Sequence, residues 1–214
     1  VIRRMQNIKV IALCNSSFGL PILHQLAFMG HLGAVILPER SDKVHIAVSG
    51  LLANSGVPVI KVNKTNFFPK AKEAIREFNI DAGLILTFNY IVPPDLCELL
   101  SRGFYNVHPS LLPAYRGPDP VFYQIKNREK FSGVTIHKVS QQMDAGDIVL
   151  QEAIALDPLY TYGMLANKLA ITGASLVMTL MKILSMGFLA PSKAQDETKA
   201  TYFKRQSLDD LAIN

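Results

Sequence analysis

The chain has 214 residues, 49% hydrophobic and 18% charged, enough to bury one sizeable core and without a long polar linker to divide it. Its 22 Lys and Arg against 17 Asp and Glu give a net charge of +5, which suits an anionic substrate or nucleic acid but is ordinary for a soluble enzyme. Cys14 and Cys97 lie in unrelated segments without metal-ligand spacing, and neither a secretory leader nor an apolar run of bilayer length is read, so no metal, no membrane and a reducing cytoplasm are expected. The basic start Val1-Ile2-Arg3-Arg4 precedes Met5 and is given no targeting role.

Residues 8–13 form an apolar run of strand length that ends at Asn15-Ser16-Ser17. Pro21 then stands where the first turn of a helix tolerates it, ahead of Ile22, Leu23, Leu26 and Met29. A strand is predicted over 32–37, a helix from about 44 to 54 closed by Gly56, and a short strand over 57–62. Residues 68–78 are amphipathic with helical period, and 82–88 is an apolar run of the kind a central parallel strand needs, leading into Asn89-Tyr90-Ile91-Val92-Pro93.

Residues 104–108 read as a strand in which Asn106 and His108 point to one face while Val107 packs the other, and Pro109 turns the chain out of the sheet. The Pro- and Gly-rich loop 109–118 is stiff, because each Pro fixes one backbone angle, and suits a site wall. Strand-like runs at 133–139 and 148–154 flank the loop Met143-Asp144-Ala145-Gly146-Asp147, and 162–186 reads as a long closing helix. Alternation of such runs with helices predicts an α/β, Rossmann-like, mostly parallel sheet with helices on both faces. The expected organisation is one domain over 1–188 with a docked extension over 189–214.

In such sheets ligands bind beyond the carboxyl ends of the strands, where the loops after Leu13, Phe88 and Val107 would meet. The first of these loops has a lone Gly19 in place of Gly-x-Gly-x-x-Gly, so a nicotinamide site is disfavoured. An amide, an imidazole and a carboxylate at strand ends make a kit for acyl transfer: Asn106 as donor or acceptor, His108 as oxyanion partner and proton carrier, and Asp144 as the charge that favours the imidazolium. The bland alternative is that His108 only caps a strand. His137 is expected to brace the site, Asp147 to bond its own loop, and His24, His31 and His45 to be surface or packing residues.

The run Asn106-Val107-His108-Pro109-Ser110-Leu111-Leu112-Pro113-Ala114-Tyr115-Arg116-Gly117, followed by Gly133-Val134-Thr135-Ile136 and by Met143-Asp144-Ala145-Gly146-Asp147, resembles the folate-dependent formyltransferase superfamily. That resemblance implies formyl transfer from 10-formyltetrahydrofolate to an amine, with Asn106, His108 and Asp144 as the catalytic trio. It implies a pterin held largely by main chain, with Phe88, Tyr90, Ile91, Val92, Gln141 and Met143 as the cofactor-binding residues. Asn15, Ser16, Ser17, Ser110 and Arg116 are expected on the acceptor side, Arg116 as an anion grip or, alternatively, in an internal ion pair with Asp119 or another carboxylate.

Three acceptors are weighed. The Gly-Ser-Asn phosphate loop of the purine branch is absent, and the run Phe18-Gly19-Leu20-Pro21-Ile22-Leu23 and the tail Gln195-Asp196-Glu197-Thr198-Lys199-Ala200-Thr201-Tyr202 look more like the methionyl-tRNA and nucleotide-sugar branches. Glu39-Arg40-Ser41-Asp42-Lys43 lacks the strongly basic loop of tRNA-formylating enzymes, and their C-terminal barrel has no counterpart before Asn214, which matters because phosphate contacts dominate nucleic-acid affinity. The tail through Phe203-Lys204-Arg205-Gln206-Ser207-Leu208-Asp209-Asp210 is similar to that of nucleotide-sugar enzymes, so a small or nucleotide-linked amine is preferred over tRNA. A formyltetrahydrofolate hydrolase and a folate-binding protein without turnover are the other readings. The oligomeric state is not encoded legibly.

Overall fold

In the computed structural model, which describes residues 6–40 and 42–206, the apolar runs pair into one seven-stranded sheet. β1 (Val10–Cys14), β2 (Leu32–Pro38), β3 (Val59–Val62), β4 (Ala82–Leu86) and β5 (Phe104–His108) are parallel. β6 (Phe131–Lys138) and β7 (Ile148–Ala155) extend the sheet as antiparallel strands. The order β3-β2-β1-β4-β5-β6-β7 reverses direction between β1 and β4, which opens a crevice at their carboxyl ends.

Alternation along each strand feeds two cores. Val10, Ala12 and Cys14 of β1 and Tyr105 and Val107 of β5 pack against α1 (Leu20–Phe28), α2 (Asp42–Leu52) and α6 (Tyr162–Ser185). Ile11 and Leu13 of β1, with Phe104 of β5, pack on the opposite face against α3 (Phe67–Glu77) and the short α4 (Pro94–Cys97). By the same alternation Asn106 and His108 stand on the Phe104 face, as the sequence predicts. The remaining helix is α5 (Pro120–Lys126), which begins with Pro120 in its first turn.

Several boundaries move. The fourth strand stops at Leu86 rather than Phe88, because Thr87 takes a left-handed φ of +64° that no strand can continue through. α1 starts at Leu20, after a 3-10 turn over Ser17–Gly19, so the Asn15-Ser16-Ser17 loop does not lead straight into a helix. α4 and α5 were not predicted, since four and seven residues are too few to show a period. Contrary to the sequence expectation, α6 is long and apolar enough to cross a membrane, but Leu165, Leu169, Val177, Leu180 and Leu184 on it are fully buried in the core.

Beyond α6 the chain returns over the loops at the carboxyl ends of the strands. It bridges to Ile148 through Lys193, and Tyr202 bridges to Arg116. The part of the expected extension at 207–214, including Ser207-Leu208-Asp209-Asp210, lies outside the described residues, as do 1–5 and Ser41.

Replacing the fully buried Leu169 by Ala is expected to lower the unfolding free energy by about 2–5 kcal/mol, through lost transfer energy plus a cavity. Urea denaturation measures it, and a loss under about 1 kcal/mol would mean that α6 does not close this core.

Candidate active site

β5 ends at His108, and β6 runs back beside it so that Asn106 faces His137 and His108 faces Thr135 across the antiparallel pair. Directly opposed residues share a face of the sheet, which brings the two imidazoles to a ring-centroid separation of 6.4 Å. The third member arrives on the loop between β6 and β7. Asp144 adopts φ +53°, a left-handed conformation that Asp tolerates better than most residues, and Gly146 lies so close to the Lys138 carbonyl that a Cβ there would collide with it.

Around Asp144 the hydrogen bonds define each group's role. Its Oδ1 accepts from Asn106 Nδ2 at 3.0 Å and its Oδ2 from the Gly117 N–H at 2.9 Å, a site that the bare backbone of the 109–118 loop provides. His137 Nδ1 lies 2.9 Å from the Lys138 carbonyl, which only accepts, so Nδ1 carries the proton and Nε2 accepts from Asn106 Nδ2 at 3.1 Å. Both hydrogens of the Asn106 amide are therefore engaged. Among the described residues its Oδ1 has no donor, which makes Asn106 an acceptor at this site rather than the amide donor that the sequence left equally open.

His108 Nε2 lies 2.8 Å from the Tyr115 carbonyl and must donate there, leaving Nδ1 as the unprotonated nitrogen of the neutral ring, 3.7 Å from Asp144 Oδ2. Burial is the dominant influence on this ring and lowers its pKa below the usual 6.5, outweighing the opposite pull of Asp144 and of the Tyr115 carbonyl. The sequence expectation of a raised pKa is thus corrected: Asp144 acts in the anticipated direction, but with the ring only 5% exposed desolvation wins. For Asp144 burial works to raise the pKa, and the facing His108 and His137 imidazoles with the Gly117 N–H more than offset it. The carboxyl is held well below the usual carboxylate range.

Two cavities meet at this cluster, sharing Ile85, Phe88, Asn89, Asn106, Met143 and Asp144. One, about 350 Å³, is also bordered by Asn15, Ser16, His108, Asp119, Tyr162 and Arg205. The loops after β1 and β4 are pinned there by a 2.8 Å hydrogen bond between the Ser16 and Thr87 hydroxyls. The other, about 220 Å³, lies among Tyr90, Ile91, Val92, His137, Val139 and Gln141. Phe88 and Tyr90 meet edge-on at 5.3 Å, and Phe67 backs both, so this wall is firm. Hence all six expected folate-side residues, Phe88, Tyr90, Ile91, Val92, Gln141 and Met143, fall on one cavity.

The expected acceptor-side set divides. Asn15 and Ser16 line the larger cavity, whereas Ser17 is exposed in the 3-10 turn and does not line it. Ser110 is fully buried, its hydroxyl donating to the Ala114 carbonyl at 2.7 Å, so it braces the loop instead of meeting a ligand. Arg116 is also fully buried. Its guanidinium pairs with Glu197 at 2.6 and 2.9 Å, with Gln195 at 2.7 and 3.1 Å, and with the Tyr202 hydroxyl, so the internal ion pair is the outcome, with Glu197 as the carboxylate. Asp147 Oδ2 accepts from the Ser192 hydroxyl at 3.1 Å, a partner outside its own loop, in place of the expected turn within it.

Arg205 on the larger cavity and Gln195 behind Asp144 were not foreseen. Arg205 is exposed at the rim and has no ion-pair partner among the described residues. Both are far along the chain from the groups they join, Gln195 being 51 residues from Asp144 and 49 from Gly146, and no periodicity reports such a contact. The polar run Gln195-Asp196-Glu197 in the segment that follows the closing helix was the available signal for Gln195.

A family model described as Formyl transferase matches residues 9–184. Methionyl-tRNA formyltransferase of Syntrophomonas wolfei subsp. wolfei is 36% identical over 146 residues, covering 68% of this chain and 46% of that protein, so the chain spans about half the length of this relative. Glycinamide ribonucleotide transformylase 1 from Symbiobacterium toebii superposes with a TM-score of 0.73 at 20% identity, over 88% of this chain and 94% of its own. An N-formyltransferase from Helicobacter canadensis, in complex with folinic acid and dTDP-3-aminofucose, gives 0.72 at 22% identity over 97% and 72%. The last two establish likeness of fold.

Because the folded His108 binds its proton less readily than the unfolded chain does, its contribution to stability is complete above about pH 6.5 and falls as the pH drops below that. An NMR titration of the ring should find a midpoint below 6.5, and Asp144→Asn should lower it further by removing the favourable charge. A midpoint at or above 6.5 contradicts this electrostatic account.

Proposed function

Since the chain belongs to the formyl transferase family, we propose that it moves a formyl group from 10-formyltetrahydrofolate to a primary amine. The observation that carries this reading is the meeting of two cavities at Asn106 and Asp144, with His108 on the wall of the larger one. The aromatic-backed cavity suits a flat pterin, stacked near Tyr90 and hydrogen-bonded by main chain. The larger cavity would receive the amine. A formyl group at their junction would lie beside Asn106 and within reach of both partners.

In this reading the amine nitrogen attacks the formyl carbon while Asn106 Oδ1 accepts one of its N–H bonds and orients the lone pair. His108 Nδ1, unprotonated in the resting protein, takes the proton that the amine loses. The resulting imidazolium faces Asp144, whose fixed negative charge stabilises it at 3.7 Å, and the new Nδ1–H becomes a donor for the tetrahedral oxyanion. Return of that proton to the folate nitrogen releases tetrahydrofolate as the carbon–nitrogen bond breaks. A buried, neutral imidazole is suited to this role, because a permanently charged one accepts no proton.

For the acceptor, a small or nucleotide-linked amine is favoured by the connection between β2 and α2, only three residues long between Pro38 and Asp42, where a basic loop would be needed to grip tRNA. Arg205 at the rim would hold an anionic group of that acceptor. Methionyl-tRNA is the second reading, supported by the activity named for the Syntrophomonas relative.

Loss of 10-formyltetrahydrofolate should be followed with dTDP-amino sugars, small aliphatic amines and methionyl-tRNA in parallel. Turnover with an amino sugar supports the first reading; turnover with methionyl-tRNA alone supports the second, and formate release independent of any amine would make the protein a hydrolase. His108→Ala is expected to lower kcat by roughly two powers of ten or more with folate affinity nearly intact. Near-parental turnover would remove His108 from the chemistry. Arg205→Ala should raise the acceptor KM by about tenfold, as expected for one charge-assisted contact, and leave the melting temperature in place; an unchanged KM would dismiss it.

A further inference from the structure

The C-terminal return does more than cover the site. Gln195 places its amide between the Asp144 loop and buried Arg116, and every hydrogen-bonding position of that amide is used. Nε2 donates to the main-chain carbonyls of Asp144 at 2.8 Å and Gly146 at 2.7 Å, while Oε1 accepts from Arg116 Nε at 3.1 Å and Nη2 at 2.7 Å. Both ends converge on one carboxylate. On one side Gln195 holds the backbone of Asp144 itself; on the other it holds Arg116, and the next residue, Gly117, gives its N–H to Asp144 Oδ2.

We propose that Gln195 is a positioning residue for Asp144, fixing the backbone and, through Arg116 and Gly117, the carboxylate against His108. The functional part of this assignment rests on the formyl-transfer reading; the geometric part does not. The chemistry explains the residue type. A Glu in its place would set a carboxylate oxygen against two carbonyls, Asn is one methylene shorter, and Lys or Arg would repel Arg116. Without the Gln195 amide the main chain of the loop retains the 3.3 Å Ala145-to-Gln142 turn and the 2.9 Å bond from Lys138 N–H to the Asp147 carbonyl, neither of which involves the Asp144 backbone, while the Asp144 and Asp147 carboxylates keep their donors Asn106, Gly117 and Ser192. Glu197, by contrast, holds Arg116 from solvent, its side chain 62% exposed, and among the described residues its carboxylate bonds Arg116 and no group of the Asp144 loop.

Three variants separate positioning from a plain clasp. Gln195→Glu keeps an acceptor for Arg116 and loses the two donors; Gln195→Met loses both ends; Glu197→Gln weakens only the Arg116 clasp. With 10-formyltetrahydrofolate and whichever amine the parent formylates, both Gln195 variants should lose roughly ten- to a hundredfold in kcat with KM values within about threefold, as for a group displaced by about an ångström. In Gln195→Met the His108 titration midpoint should move part of the way towards that of Asp144→Asn. Glu197→Gln should lower the melting temperature while leaving kcat and the midpoint near parental. Parental kcat and midpoint in folded Gln195 variants, or losses that follow melting temperature equally in all three, overturn the proposal. Should Gln195→Met not fold, Gln195→Glu decides by its kcat and by its melting temperature. If the parent formylates no amine, the functional reading fails, and the titration still decides whether Gln195 sets Asp144.

Discussion

The site depends on one constraint, a carboxylate that must stay charged with only 9% of its side chain exposed. Burial of a lone carboxylate costs several kcal/mol, and proteins normally avoid it by protonating the group or by surrounding it with donors. Here the second solution is used. Asn106 donates to one oxygen and the Gly117 N–H to the other, the His108 and His137 rings stand at 3.7 and 3.6 Å where either one, once protonated, favours the anion, and the carboxyl stays ionised. The same burial keeps His108 neutral, so one environment pushes two groups to the protonation states that a proton transfer from an amine requires.

Each supporting feature of the fold can be traced to that requirement. The antiparallel β6 puts His137 opposite Asn106, which aligns the amide. Gly146 and Gly117 let main chain approach where a side chain would clash, the latter against Phe203 of the C-terminal return. That return braces the 109–118 loop as well: Thr201 accepts from Tyr115 N–H at 2.8 Å, and Phe203 stacks on Tyr115 at 4.9 Å, holding a left-handed φ of +62° that Tyr rarely adopts. Stability from Leu-rich α6 and precision from the polar tail are therefore supplied by different parts of the sequence after β7.

Strand and long-helix positions were legible because their signals are local. Apolar runs at 8–13, 32–37 and 82–88 mark buried parallel strands, and Asn106-Val107-His108 carries its own alternation. Two kinds of feature were not. Short helices such as Pro94–Cys97 lack enough turns for a period. Side chains whose direction is decided by distant partners stay ambiguous: the sequence leaves Arg116 open between an anion grip and an internal ion pair, and only Gln195 and Glu197, about 80 residues later, turn it inward. Ser110 is an equivalent case within its own loop. The sign of the His108 shift was missed for a related reason, since sequence names the neighbouring charge but not the depth of burial that outweighs it.

The central claim, that Asn106, His108 and Asp144 stand between a folate cavity and an acceptor cavity, is tested most directly by a crystal structure with 5-formyltetrahydrofolate, whose formyl group is not poised for transfer. The account predicts the pterin among Tyr90, Ile91, Val92 and Gln141, with the N10 side of the ligand beside Asn106 and the larger cavity still open towards Arg205. A pterin bound among Asn15, Ser16 and Arg205, or a ligand that leaves Asn106 and His108 untouched, would contradict it.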